Sequence, residues 1–430
     1  MQARQFSGYV AGQDTGGKDK TASECCCTGS MMEEAMEPMV IDPSVAAVRR
    51  QFPAAEGQVY LNSGTAGPLP RSTAAIIAAE NERQLRAGRS TIKTYFDEYL
   101  PMQATVRARF ARLLGAGSDE IALTHHTTEG MNIACWGLNW QPGDEILTTS
   151  HEHEGGLLPA YAVARRFGVT LRVVDLDRAG EDIAGAVAAA LTARTRLVVM
   201  SHVAFTTGAA LPVAAIATAA HRVGAYVAVD GAQSCGAIPV NVHELDVDFY
   251  AVPGQKWLCG PEGMGALYVR RERLSELLPT FVGFSSIRDM EAMDLSGYFI
   301  PGAGAQRYEQ GTVYMPGLFG MNESLRWMEE DAGWPWIFEQ TAAITERCRS
   351  MLGGLSGVTI HTPVPHGSLT AFSIAGLDPQ ATVTQLAERG IIIRAVPIYN
   401  WLRVSTGFFN TEEDLDRLHD ALVDLHTAGA

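Results

Sequence analysis

The sequence is short of the features that take a protein into or onto a membrane. No apolar run in its 430 residues approaches the roughly 20 that cross a bilayer. The opening MQARQFSGYVAGQDTGGKDK has no apolar middle of the secretion-signal kind. A cytoplasmic protein with no membrane partner is the expectation. Dense runs of lysine or arginine are missing too. With 33 basic against 48 acidic side chains the formal net charge is −15, and such a field repels nucleic acid. Cysteine is scarce. Cys25, Cys26, Cys27, Cys135, Cys235, Cys259 and Cys348 make an odd set without paired metal-type spacing, which argues against a disulfide framework and offers no metal site. Three of them sit together in ECCCTGS, within the polar, glycine-rich lead of residues 1–42. That lead has too little apolar surface to order itself and reads as a disordered extension. No internal repeat is present.

What the chain does have is a large apolar reserve, 47% of its residues with only 19% charged, enough for more than one folding unit. DPSVAAVRRQF offers Asp42 as a helix cap and Pro43 at the first helical position. VYLNSGTAGPLP reads as a short strand breaking into a turn, and residues 71–115 suit a long helix. Beyond them the apolar runs EIALT, DEILTTS, TLRVVDL, TRLVVMS, AYVAVDG, VDFYAV and GALYV alternate with helical stretches such as GGLLPAYAVARRFG and VAAIATAAHRVG. Continuous apolar strands between helices predict a mostly parallel sheet buried on both faces, an α/β fold. After residue 315 the mixture of helices and strands, closing on TEEDLDRLHDALVDLHTA, suits a smaller α+β domain. The expected organisation is an extension over 1–42, a segment 43–59 packing with the small domain, a large domain over 60–314 and a small domain over 315–430.

In open α/β sheets ligands gather beyond the carboxyl ends of the strands. The residues found there are polar. After EIAL comes THHTTEGMN, whose Thr127, Thr128 and Gly130 open a helix and offer hydroxyls and backbone N–H groups to an anion. After DEILTTS come His151, Glu152 and His153; after AYVAV comes Asp230, with Gln233 one turn on; after VDFYAV comes Lys256, inside the glycine-rich AVPGQKWLCGPEGMG. Each alone has a plainer explanation. Asp230 suits a helix cap, a lone histidine is more often structural, and a lysine in a glycine-rich loop is usually solvated. In this order, at strand ends, they meet the needs of pyridoxal 5'-phosphate: a lysine for the aldehyde, a carboxylate to keep the pyridine nitrogen protonated, a flat partner for the ring and a helix end for the phosphate. Glycines beside Lys256 let the chain turn sharply and a cofactor lie close.

Across residues 45–425 the chain also resembles the class V aminotransferase family of fold-type I pyridoxal-phosphate enzymes. Within that family it is most similar to the branch of isopenicillin-N-epimerase-like proteins and cyst(e)ine C–S lyases. The resemblance runs through YLNSGTAGPLP, NIACWGLNWQPGDEIL, SHVAFTTGAALPV, VDGAQSCGAIPV and GQKWLCGPEGMGALYV. It implies that Lys256 carries the Schiff base, Asp230 pairs with the pyridine nitrogen and His153 stacks on the ring, these three being the catalytic set. It further implies that Gln233 contacts the ring hydroxyl and that Thr127, Thr128, Glu129 and Gln255 serve the phosphate. Such enzymes are homodimers with shared active sites, and EQGTVYMPG matches the segment that reaches the neighbour's phosphate through Gly311 and Thr312. Arg394, ending IIIR, stands where the family keeps its carboxylate-binding arginine. Arg403 in WLRVSTGFFNTEED is the second candidate and equally suits an ion pair with the final helix. Asn62, Ser63 and Gly64 would line the substrate side. Of the tryptophans near these motifs, Trp136 and Trp257 read as core, which leaves Trp401 as a candidate neighbour of the site.

The chain also departs from the family pattern. Pro253, Gly254 and Gln255 precede the lysine where many relatives have Ser or Thr, Gly and His, so Gln255 must replace a phosphate contact with its amide. Phe205 stands where the desulfurases keep an asparagine, leaving Gln233 alone at the ring hydroxyl. No cysteine follows Cys348, and the stretch after Arg394 is AVPIYNW, where desulfurases of the family carry a persulfide-forming cysteine on a mobile loop. The expected reaction is therefore β-elimination. Lys256 removes the Cα proton and the β-thiolate leaves, giving thiol, pyruvate and ammonia from cysteine or a cysteine S-conjugate, in a secondary-metabolite pathway. Transamination, epimerisation and decarboxylation coupled to oxidative deamination start from the same complex and stay open. A non-enzymatic pyridoxal-binding protein is the third class of reading, against which Lys256 and Asp230 both stand.

Overall fold

The computed structural model describes residues 44–429, except Ser90, Met290 and Ala292. The expected extension over 1–42, with Cys25, Cys26 and Cys27, lies outside the described residues, as do Asp42 and Pro43. The first described helix, Val45–Arg49, is capped instead by Ser44, whose hydroxyl accepts from the Ala47 amide at 3.2 Å. After it comes β1 (Val59–Tyr60), and then the turn at residues 62–66. The single helix expected over 71–115 is interrupted: Arg71–Ala87 ends at Gly88, whose φ of 81° lies outside helical space, and the chain returns to helix at Ile92, passing through a π turn at Tyr95–Tyr99 into Leu100–Leu114.

Seven strands follow as the apolar runs predict: β2 (Ile121–Thr124), β3 (Glu145–Thr149), β4 (Thr170–Val174), β5 (Thr195–Ser201), β6 (Tyr226–Asp230), β7 (Phe249–Pro253) and β8 (Gly265–Val269). They form one sheet in the order β2-β8-β7-β6-β5-β3-β4. All its pairings are parallel except those of β8, which runs against both its neighbours. β3, β7 and β8 are buried along their whole length, and β5 everywhere but Arg196, because helices cover both faces. On one face Val198, Met200, Val227, Val229 and Tyr250 meet the helices Leu100–Leu114 and Val213–Arg222. On the other Leu197, Val199, Ala228, Phe249 and Ala251 meet Thr127–Trp136 and Glu154–Phe167. The helix Met315–Arg326 puts Met315, Leu318, Met321 and Leu325 into the first of these cores, so the 314/315 division expected from the sequence falls beside a helix that packs with the large sheet.

The remaining strands are β9 (Val358–Ile360), β10 (Leu369–Ile374), β11 (Ile391–Ile392), β12 (Arg394–Val396) and β13 (Trp401–Ser405). β12-β13-β10-β9 make an antiparallel sheet, and β11 pairs in parallel with β1. The helices Trp334–Gly353 and Pro379–Glu388 and the closing helix from Glu412 cover this sheet with Ile344, Leu386, Leu418 and Leu422. Arg49 binds the Asp414 carboxylate through two nitrogens, at 2.6 and 2.8 Å, and ties the first described helix to the last. Among the described residues no helix is long and apolar enough to cross a membrane.

Candidate active site

β7 ends at Pro253, and the chain then turns so tightly that Lys256 projects back over the sheet edge. The Gly254 amide donates to the Met264 carbonyl at 2.7 Å and the Gly260 amide to the Gly254 carbonyl at 2.8 Å. A Cβ on Gly254 would stand 2.6 Å from Met321 Sδ. The chain after β1 packs directly on this turn. Gly67 donates to the Gln255 carbonyl at 2.8 Å, and a Cβ there would lie 2.1 Å from the Lys256 carbonyl oxygen. The glycines around the lysine are needed for this backbone-on-backbone contact.

Lys256 shares a cavity of about 720 Å³ with Asp230, Gln233, His153, Thr127, Thr128, Gln255, Gly64, Arg394 and Arg403. The strands of the large sheet contribute to it at their carboxyl ends, whereas Arg394 opens β12 and Arg403 sits in the middle of β13. Ser201 ends β5 and Asp230 ends β6, in register with each other and with Ala251 of β7. Asp230 is buried, and its Oδ1 accepts from the Ala232 amide at 2.8 Å, which leaves Oδ2 for a ligand; the helix it was expected to cap does not form, since turns follow β6. Burial drives the Lys256 ammonium down to about 8; Asp230 opposes the shift, and Arg403 and Arg394 reinforce it. Near neutrality a sizeable fraction of this amine is therefore the nucleophilic free base.

His153 caps the helix Glu154–Phe167, its Nδ1 accepting from the Gly155 amide at 2.9 Å. That bond leaves the proton on Nε2, and burial, with Lys256 nearby, lowers the pKa, so the ring is neutral. The Phe205 ring meets it edge-on, 5.0 Å away. Gln233 is held at both ends of its amide: Nε2 donates to the Gly64 carbonyl at 2.8 Å, and Oε1 accepts from Trp257 Nε1 at 3.1 Å.

At one end of the cavity the helix Thr127–Trp136 begins. Two polar atoms lining that end, Thr127 Oγ1 and Gln255 Oε1, are buried with no hydrogen-bond partner. Buried polar groups are almost always paired, so this end is built for a ligand rich in hydrogen-bonding oxygen. The helix N-terminus selects an anion, and a flip of the Gln255 amide turns its donor inward.

At the other end two guanidiniums face each other. Arg394 and Arg403 are direct partners across β12 and β13, an arrangement that repels like charges. Both donate to Thr65 Oγ1, at 3.4 and 3.3 Å. Arg403 is 0% exposed, donates also to the Phe205 carbonyl at 2.6 Å, and its Nε has no partner. Burial and Arg394 pull it down to about 9, so it remains a cation at neutral pH. Asp230 is the sole carboxylate among the lining residues, against Lys256, Arg394 and Arg403. A ligand with an anion at each end satisfies this imbalance. The ion pair with the final helix that was open for Arg403 does not occur among the described residues.

Not every expected residue converges here. The Glu129 carboxylate turns away, accepting from the His125 amide at 2.6 Å and from Gln310 Nε2 at 3.2 Å, and its own amide donates to His126. Gly311 and Thr312 border a separate surface cavity beside Glu129. Asn62 Oδ1 accepts from Thr65 Oγ1 at 2.7 Å, and Ser63 is buried behind Gly64 without a hydroxyl partner, so neither lines the main cavity. Thr65, the bridge between the arginines, went unnoticed in the sequence, where no spacing marks it. Glu152 did too. It is buried, accepts from Thr149 and Ser201 hydroxyls at 2.5 Å each, and burial raises its carboxyl to about 7; its place next to His153 after a strand end was the available signal.

Sheet topology, a lysine beside a carboxylate at neighbouring strand ends and an anion cradle at a helix start define a pyridoxal-phosphate-dependent enzyme of fold type I. The chain belongs to the class-V aminotransferase family, whose sequence pattern matches residues 59–418. It is 33% identical over 409 residues to the isopenicillin N epimerase of Streptomyces clavuligerus, covering 91% of this chain and 97% of that protein. It is 30% identical over 399 residues to a probable cysteine desulfurase of Methanothermobacter thermautotrophicus, covering 89% and 98%. Among solved structures, the cystine C–S lyase C-DES in complex with its product cysteine persulfide superposes with a TM-score of 0.82 at 30% identity, over 87% of this chain and 99% of that one. A mutant of C-DES carries glycine covalently linked to its pyridoxal phosphate cofactor.

The cofactor of this enzyme is pyridoxal 5'-phosphate, and the pKa of Lys256 makes its uptake pH-dependent. Only the free amine attacks an aldehyde, so the rate at which cofactor-free protein binds pyridoxal phosphate rises about tenfold per pH unit below pH 8 and levels off above it. Stopped-flow absorbance checks this, and a flat profile between pH 6 and about 9 contradicts the assignment of Lys256.

Proposed function

We propose that the enzyme is a pyridoxal-phosphate-dependent C–S β-lyase that cleaves cysteine or a cysteine S-conjugate to thiol, pyruvate and ammonia. The observation that carries this reading is the lack of an accessible thiol among the described residues. The four described cysteines, Cys135, Cys235, Cys259 and Cys348, are all buried. Burial pushes Cys135, Cys235 and Cys348 up to about 12 and raises Cys259 as well, which leaves them inert. The turn between β12 and β13, residues 397–400, contains none. With no thiol among the described residues to take a sulfur atom, C–S cleavage proceeds by elimination.

The residues divide the work. Arg394 and Arg403 bind the α-carboxylate, with Thr65 holding the pair together. Thr127, Thr128 and Gln255 take the phosphate at the helix start. With the cofactor bound, Asp230 would face the pyridine nitrogen, His153 would lie against the ring and Gln233 would serve the ring hydroxyl. The cofactor would supply an electron sink that acidifies the substrate Cα–H. The Lys256 amine would take that proton on Nζ, and the electron pair left on Cα would expel the β-thiolate. Water then converts the three-carbon enamine to pyruvate and ammonia. The epimerase relative favours one other outcome, return of the proton to the opposite face of Cα.

A homodimer with shared sites fits the surface. Phe284 and Tyr314, exposed at 50% and 55%, lie beside Gly311 and Thr312, and Phe96, 60% exposed, packs on Tyr95, whose ring is 6.4 Å from Phe284. A partner subunit would cover these rings.

Incubation with S-substituted cysteines decides between the outcomes: the lyase releases equal amounts of pyruvate and thiol, whereas racemised substrate without pyruvate overturns the proposal. Replacing Arg394 by Lys loses the planar fork and raises KM about 10- to 100-fold with little change in kcat, the effect of a lost charged hydrogen bond. Phe96→Glu converts a dimer to monomers in sedimentation velocity; a wild-type chain that already sediments as a monomer refutes the shared-site arrangement.

A further inference from the structure

Outside the cavity four aromatic rings make one continuous stack. His361, just after β9, lies 4.2 Å from Trp401 at 11°; Trp401, opening β13, lies 4.6 Å from Tyr399 at 19°; Tyr399 lies 5.1 Å from His151 at 29°. Each is within the range of favourable aromatic contact. The stack crosses from the smaller sheet to the larger one. His361 and Trp401 belong to the antiparallel sheet, Tyr399 sits in the single turn Pro397–Tyr399 at the tip of the β12–β13 hairpin, and His151 follows β3. His151 is itself fixed. It is 3% exposed, with Nδ1 bonded to Thr206 Oγ1 at 2.7 Å and Nε2 to Asp177 Oδ1 at 2.9 Å.

The hairpin that carries Tyr399 at its tip carries Arg394 and Arg403 at its base. His151 precedes by two residues His153, which lines the same cavity as the arginines. A ring clasped between His151 and Trp401 therefore controls how far the arginine pair stands from the cofactor side. We infer that Tyr399 is a positioning residue: its stacking between His151 and Trp401 holds the β12–β13 hairpin at the distance that lets Arg394 and Arg403 grip the substrate carboxylate. The inference rests on the carboxylate role proposed for those arginines. It also assigns a duty to AVPIYNW. Its aromatic residues dock the hairpin tip, where a sulfur-carrying loop would have to swing.

The test uses the holoenzyme and L-alanine, an amino acid with no β-leaving group, with binding read from the cofactor's absorbance. Tyr399→Ala weakens alanine binding about tenfold, equivalent to about 1.4 kcal/mol, while Tyr399→Phe, which keeps the ring, stays within about twofold. Tyr399→Leu keeps bulk without stacking and shares the loss; it serves as the second variant should the alanine substitution not fold. Ile398→Ala, at an 80% exposed neighbour, changes nothing. Hydrogen–deuterium exchange across residues 394–403 in the amino-acid-free enzyme rises in Tyr399→Ala and Tyr399→Leu but not in Tyr399→Phe. Unchanged alanine binding in both Tyr399→Ala and Tyr399→Leu, or equal damage from Tyr399→Phe, overturns the inference. Failure of elimination in every variant and in the wild type refutes the lyase reading alone, since the alanine titration still separates the Tyr399 variants.

Discussion

The parallel pairing of β5, β6 and β7 is the constraint on which the site depends. Its register places Ser201, Asp230 and Ala251 side by side at one sheet edge, and the Lys256 turn follows directly. An acid and an amine thus acquire a separation set by backbone hydrogen bonds rather than by side-chain packing. Because these strands are covered on both faces, the edge is also dry enough to lower the Lys256 pKa. The same burial that makes the sheet stable makes the lysine reactive.

Around that edge the protein accumulates positive charge without answering it. A helix start, a buried amine and two facing guanidiniums meet a single carboxylate. Left alone, such a cavity is electrostatically unfavourable. The imbalance defines its ligands, and it does so at two separate ends, one for phosphate and one for carboxylate. Side chains with no chemistry of their own maintain the imbalance. Thr65 bonds both arginines, and Gln233 ties the glycine loop to Trp257 beside the lysine.

Much of this was legible from the chain alone, for identifiable reasons. The central strands of the large sheet stood out because burial on both faces leaves no polar alternation to confuse them with helices, while the edge strand β4 is partly exposed. Lys256, Asp230, His153 and the threonines at 127 and 128 stood out because strand ends are where such folds place ligands. Other features were hidden. The break in the long helix near Gly88 and the packing of Met315–Arg326 on the large sheet depend on tertiary partners distant in sequence. The outward turn of Glu129 is decided by His125 and Gln310, which no local pattern pairs with it. The aromatic stack joins residues from four loops and strand ends, and only their spatial order makes it visible.

The pairing of β1 with β11 has a bearing on how the enzyme is made. Val59 and Ile391 come from nearly opposite ends of the polypeptide, so a ribosome delivers one long before the other. The early strand has to wait, unpaired, through most of translation, and the loop it closes carries a correspondingly large entropic penalty. Within the large sheet the loops are shorter, the longest wait being that of β2 for β8. The arginine hairpin of β12 and β13 is accordingly among the last parts of the described chain to emerge and take its place.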